Sequence, residues 1–283
     1  MFRRQKVLLY LMFALNRRGK KITKTYLDKL LFVLRKETNI GDFVKFYNFF
    51  PYNYGPFSNQ FYFDLADLYS HAYLADEFEV KLPAKEVEDF LNAEEKQLAN
   101  KIIEKYGDYS TDQIKDYVYS TYPEYAQKSL LKAQKEQEGK PGIFSIGYEK
   151  KDIDLFLDLL VQNGIDTLVD VRANAFSMNF SFTKSKLVNY LEKVGIEYLH
   201  VPELGISGEF RKGLDSDADY VKLFEFYQSS ILPKQAKKVE EVYELGRKKR
   251  IALLCFEQDK GHCHRGVLSK ELERCYGVQV THL

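Results

Sequence analysis

The sequence predicts two domains: a mainly helical, winged-helix-like domain over residues 1–138, and a three-layer, Rossmann-like α/β domain with a mostly parallel sheet over residues 139–283. Three observations predict this. The 283 residues exceed one typical domain and are long enough for each half to bury a core of its own. Apolar residues of the first half recur mostly at helical spacing. From Ile143 onward, short apolar runs alternate with amphipathic stretches, the pattern of repeated βα units.

The elements of the first half follow in order. Val7, Leu8, Leu11 and Leu15 form one helical stripe, and Tyr26, Leu27, Leu30, Leu31 and Leu34 a second. The polar GKKITK breaks them apart, with Thr23 as N-cap of the second. The aromatic run from Phe43 to Tyr54 ends in Gly55-Pro56, which fits a strand or hairpin closed by a turn. Ser58 starts another amphipathic segment, and Phe78 to Leu82 reads as a strand. Helices are expected over Glu94–Tyr106 and Ser110–Ser120. The polar AQKSLLKAQKEQEGKPG reads as a charged helix or linker, with Gly139 and Pro141 marking the boundary.

In the second half, IFSIGY, IDTLVDVR, IEYLHVP, RIALLCFE and VQVTHL read as strands. Helices are expected over Lys151–Asn163, over Lys184–Val194 with Gly195 as its stop, from Tyr220 until Pro233 interrupts, and over His264–Tyr276.

Composition narrows the function classes. A net charge of +1 gives no whole-molecule field towards nucleic acid or acidic lipid, so any such attraction rests on local patches. Three cysteines gathered near the C-terminus make no disulfide framework and suit a reducing, cytoplasmic compartment. The apolar VLLYLMFAL near the N-terminus is followed by basic residues rather than a cleavage site. It is too short to span a bilayer, so it reads as a buried helix and no membrane partner is expected.

Parallel sheets bind ligands beyond the C-terminal ends of their strands, and four such ends carry polar residues that packing does not require. The first is followed by Tyr148 and Glu149, the second ends in Asp170 and Arg172, the third is followed by His200 and Glu203, and the fourth ends in Cys255 and Glu257. Cys263, His264 and Arg265 then open a helix, where free N–H groups favour an anion. Asp170, Arg172, Cys255, Glu257, Cys263, His264 and Arg265 form the candidate catalytic set, and Tyr148, His200 and Glu203 the candidate substrate contacts. Asp170–Arg172 reads either as a rim ion pair or as a base beside an anion-holding fork. Cys255 reads as a core thiol or a nucleophile. Cys263 is the better nucleophile candidate, because His264, Arg265 and the helix start favour its thiolate. Adjacent ligands and the lack of a C-x-x-C pair make Cys255, His262, Cys263 and His264 a poor zinc match, so neither metal nor cofactor is expected. Arg17, Arg18, Lys20, Lys21 and Lys24 cluster at a helical break and, with Tyr54 near the wing, are the candidate nucleic-acid contacts; a solvated turn and ordinary packing are the plainer readings.

FSIGY, VDVR, H-x-P-E-L-G and C-x-E followed by CHR together resemble the domain of unknown function 488 family, over nearly half of the chain. Ala173, Asn174 and Ala175 stand where that family commonly has a proline-containing turn, which bears on loop shape. YLDKLLFVLRKE and YNYGPFSNQFYFDLADL resemble the Panacea or SocA-type antitoxin-associated domain. That resemblance implies a helical module found near toxin–antitoxin and defence systems.

Two functional classes follow. One is an enzyme that processes nucleic acid, DNA before RNA, or a nucleotide, as a hydrolase or base glycosylase in DNA repair or phage defence. The other is a non-catalytic regulator that binds DNA or a toxin through the N-terminal domain and senses a small anionic ligand. A cysteine phosphatase or sulfurtransferase is a third reading, but Cys263 and Arg265 lie too close together for a phosphate-cradling loop.

Overall fold

The computed structural model describes residues 1–125, 140–211 and 216–283. The chain divides into two compact units, Met1–Leu131 and Lys132–Leu283. The stretch read as a charged helix or linker, with Gly139, lies mostly outside the described residues.

The first unit is built from helices over Arg3–Arg17, Lys24–Glu37, Ile40–Phe43, Asn59–Ser70, Ala84–Glu88, Ala93–Tyr106 and Thr111–Thr121. Thr23 caps the second of them, its hydroxyl accepting from Tyr26 N at 3.1 Å. The aromatic run supplies an antiparallel hairpin, β1 (Phe50–Tyr52) with β2 (Gly55–Phe57). A second short pair joins β3 (Leu74–Ala75) to β4 (Glu79–Val80). VLLYLMFAL lies in the first helix, whose fully buried Val7, Leu8, Leu9, Leu11 and Met12 belong to one core with Leu27, Leu30 and Leu31 of the second. Among the described residues no helix is long and apolar enough to cross a membrane.

The second unit is an α/β domain around one sheet of five parallel strands: β5 (Gly142–Gly147), β6 (Thr167–Asp170), β7 (Glu197–His200), β8 (Arg250–Cys255) and β9 (Val280–His282). Their spatial order is β7-β6-β8-β5-β9, which puts β8, late in sequence, at the centre. Ile143, Val169, Val171, Ile251 and Leu253 share a core with Val239, Val242, Leu268 and Leu272. These last belong to the Ala236–Gly246 and His264–Tyr276 helices, which pack on each other. Side chains alternate along strands, so Phe144, Ile146, Leu168, Ala252 and Leu254 point to the opposite face. The Ile153–Gln162 and Lys184–Val194 helices pack together and supply buried Phe156, Leu157, Leu187 and Leu191. Gly195 ends the Lys184–Val194 helix at φ 71°, a left-handed conformation that a β-carbon would strain.

One element differs in detail from the sequence reading. A helix was expected to run from Tyr220 to Pro233; it spans Asp217–Phe226, then widens into a π turn over Tyr227–Ile231 and tightens over Leu232–Gln235. Pro233 has no N–H to donate, so the ladder changes pitch before it. The widened turn carries Tyr227, fully buried, whose hydroxyl donates to Leu204 O at 2.6 Å.

Candidate functional site

The polar strand ends do meet on one rim, but their side chains separate into two groups on opposite faces of the sheet. Asp170 shares the parity of Leu168 and lies on the Ile153–Gln162 face. Cys255 shares the parity of Leu253 and lies on the His264–Tyr276 face.

The first group is a closed ion-pair network. Asp170 is 0% exposed. Arg172 turns back on it with a two-pronged contact, Nε to Oδ1 at 2.8 Å and Nη2 to Oδ2 at 2.6 Å. Its remaining nitrogen donates to Tyr148 Oη at 3.2 Å and to Phe182 O at 3.1 Å. Tyr198 completes the carboxylate shell, its hydroxyl donating to Asp170 Oδ2 at 2.6 Å. Burial pushes the Tyr198 phenol up, and the Asp170 charge pushes it further, so it stays a donor. His200 Nε2 lies 2.9 Å from Arg172 O, which ties β7 to the loop. Glu203 is exposed and stands apart from this network. Alternation explains why Asp170 and Arg172 share a side, but Tyr198, Phe182 and Ser177 were not singled out from sequence. Tyr198 sits two residues before His200 in IEYLHVP, and that period-two pairing is the signal that points to it.

The second group gathers at the end of β8. Cys255 Sγ lies 3.1 Å from Glu257 Oε2 and 3.4 Å from His264 Nδ1. His264 Nε2 is 3.0 Å from Val171 O, and its ring stands edge-on to Tyr227 at 5.7 Å. Cys263, the N-cap of the last helix, is buried beside them. Burial alone would raise the Cys255 thiol. Contacts with Cys263 and His264 outweigh it and bring the thiol well below its ordinary range. Cys263 goes the other way, pushed well up by burial and by the charge on Cys255. The sequence named Cys263 as the better nucleophile candidate; two neighbouring buried sulfurs do not both ionise, and Cys255 is the one seated between Glu257 and His264. Burial, then the neighbouring Cys255, raises the Glu257 carboxyl.

Arg265 is fully buried and serves the backbone. Its Nη1 donates to Glu257 O, and its Nη2 to Gln258 O at 2.9 Å, while Nε has no hydrogen-bond partner among the described residues. These bonds fix the turn that carries Glu257. Gly147 lets that turn close, since a β-carbon there would fall 1.8 Å from Glu257 O.

Tyr148 joins the two groups. Its ring stacks on Phe182 at 4.3 Å and meets Phe256 at 5.3 Å, and its hydroxyl donates to Ser177 Oγ at 3.1 Å. Around it the rim is apolar yet open: Phe176, Met178, Phe180 and Phe256 are exposed, Met178 to 93%. Beside Phe176 lies a hollow of about 720 Å³ lined by Ala173, Asn174, Lys184, Asn189 and His200 among others.

In the first unit the basic cluster divides. Arg18 Nη1 donates to Ile103 O at 3.0 Å, Lys20 donates to Tyr109 O, and Arg17 pairs with Glu88 at 3.1 Å. Lys21 and Lys24 face solvent. Tyr54 tops the β1–β2 hairpin, 73% exposed, its carbonyl accepting from Tyr119 Oη.

Residues 152–272 match the family described as Domain of unknown function DUF488. No curated protein and no solved structure matches the chain.

Proposed function

We propose that the chain is a nucleic-acid- or nucleotide-processing enzyme of the hydrolase or base-glycosylase kind, with its chemistry at the β8 end. One observation carries the reading. Exposed Phe176, Met178, Phe180 and Phe256 share the carboxyl-end rim of the parallel sheet with Tyr148 and with the Cys255–Glu257 pair, and Phe256, which meets the Tyr148 ring, lies between Cys255 and Glu257 in sequence. Four open apolar side chains cost solvation and do nothing for the core, whereas a base has a flat face that stacks on such a surface for about 1–3 kcal/mol. Glu257, which reaches the surface, is the group of this cluster placed to move a proton; Asp170–Arg172 holds the frame.

The winged-helix-like first unit, with Lys21, Lys24 and Tyr54 at its surface, would contact DNA, or a toxin if it resembles the SocA-type module in use as well as in sequence. Three free cysteines suit work in the reducing cytoplasm, in DNA repair or phage defence. A mass-spectrometric screen of modified and unmodified oligonucleotides and nucleotides tests the reading. Wild type is expected to change at least one substrate class, Glu257→Gln to lose that turnover, and Phe256→Ala to bind more weakly. No change to any substrate by wild type, with Glu257→Gln and Phe256→Ala binding as it does, overturns it.

A further inference from the structure

We infer that Cys255, Cys263 and His264 form a binding site for a zinc-type divalent metal, with its open coordination position beside Glu257. The two sulfurs and a ring nitrogen lie within 4.8 Å of one another, and all three residues are buried. Sulfur and imidazole are the donors that zinc prefers, and three protein ligands leave the fourth tetrahedral position for water or substrate.

Three further features fit. His264 Nε2 faces Val171 O at 3.0 Å, an acceptor, so Nε2 carries a proton and Nδ1, 3.4 Å from Cys255 Sγ, is the ring atom turned to the sulfurs; metal binding would displace the proton that Nδ1 and Cys255 share. A backbone carbonyl behind a ligating histidine is the usual outer partner that fixes its tautomer. Cys263 and His264 are sequence neighbours, which weighed against a metal when only spacing was known. Here the chain changes conformation between them: Cys263 is extended at φ −140° and ψ 137°, and His264 is the first helical residue. The two side chains therefore converge where adjacent residues of one strand would diverge. Glu257 Oε2, 3.1 Å from Cys255 Sγ, adjoins the ligands without being needed as one.

Such a centre would supply a hydrolytic nucleophile. Bound water gives a proton to Glu257, the O–H electron pair stays on oxygen, and the hydroxide forms an O–C bond at an electrophilic carbon. The bond to the leaving group then breaks, and that group departs with the proton Glu257 returns. This chemistry rests on the proposed function; the metal site does not.

The test needs no substrate. The full chain, purified reduced, loaded with zinc chloride and desalted, is expected to retain about one zinc per chain by elemental mass spectrometry. Cobalt(II) in its place should give a thiolate-to-cobalt charge-transfer band. Cys255→Ser and His264→Ala should lose the metal, while Cys275→Ser and Glu257→Gln keep it. Because the buried variants risk misfolding, wild-type protein alone gives a second reading. Under alkylation prolonged until the buried thiols of the metal-free chain react, zinc should protect two of its three thiols, and a chelator should restore their reactivity. Zinc well below one equivalent, a cobalt spectrum without the thiolate band, or thiols indifferent to zinc and chelator overturns the inference. Metal held at one equivalent with no turnover would count against the proposed function alone.

Discussion

Replacing Arg172 by alanine should destabilise the second unit by about 3–5 kcal/mol, the usual cost of leaving one partner of a buried ion pair alone. The figure follows from position. Asp170 is inaccessible, and Arg172 supplies both contacts that balance its charge, at 2.6 and 2.8 Å. Among the described residues, Tyr198 Oη and the Arg172 backbone N–H, at 2.6 and 3.1 Å, still donate to it, and neither carries a charge. In a unit of this size the melting temperature would fall by on the order of 10 °C. Hydrogen exchange of the Thr167–Arg172 segment against urea measures the effect in this unit without interference from the first. The double replacement Asp170→Leu with Arg172→Met removes both charges and should recover most of the loss, since an apolar pair of similar volume often replaces a buried ion pair at no cost. An Arg172→Ala protein within about 1 kcal/mol of wild type would refute this reasoning and return Arg172 to the role of a substrate anchor.

Three other outcomes are expected. Gly147→Ala should cost about 1–3 kcal/mol and displace Glu257, because the added methyl meets Glu257 O and Arg265; thermal melting with the turnover assay checks both parts. Glu37 is held below the usual carboxylate range: burial raises it, but bonds from Tyr106, Tyr117 and Lys105 prevail. Its folded value lies below its unfolded one, so the stabilisation is present above the unfolded value and fades as pH falls through the folded one. Glu37→Gln should therefore cost about 1 kcal/mol near neutral pH and little in strong acid, as thermal melts at both will show. Brief alkylation of the native chain should modify Cys275, which is exposed, well before Cys255 and Cys263, which are buried; peptide mapping reads the order.

Much of the fold was legible because the relevant signals are local. The helical spacing of Leu27, Leu30, Leu31 and Leu34, the cap at Thr23 and the stop at Gly195 each depend on a few neighbouring residues. Sheet order is not local: nothing within RIALLCFE says that β8 lies between β6 and β5. The same gap hid the division of the polar rim. Strand alternation relates Asp170 to Arg172 and Cys255 to Glu257, but it relates one strand to another only once the register Asp170↔Leu254 is known. Arg265 shows a further limit. Its charge and helix-start position suggest an anion, and its actual partners are carbonyls of a turn whose path no spacing rule gives. Tyr227 escaped notice for a similar reason, since its burial depends on the widened turn before Pro233.

The placement of β5 has a kinetic consequence. Both of its neighbours come from the far end of the unit: Gly142 pairs with Arg250, and Ile143 with Val280. A nascent chain that has released β5, β6 and β7 can pair the last two, but β5 must keep both backbone edges unsatisfied until β8 emerges about a hundred residues later. Closing so long a loop is slow, and an apolar strand with open edges invites pairing with another chain in the interval. Refolding yield of this unit should accordingly fall with protein concentration, and the central strand β8, whose arrival joins β6 to β5, would set the pace of the whole sheet.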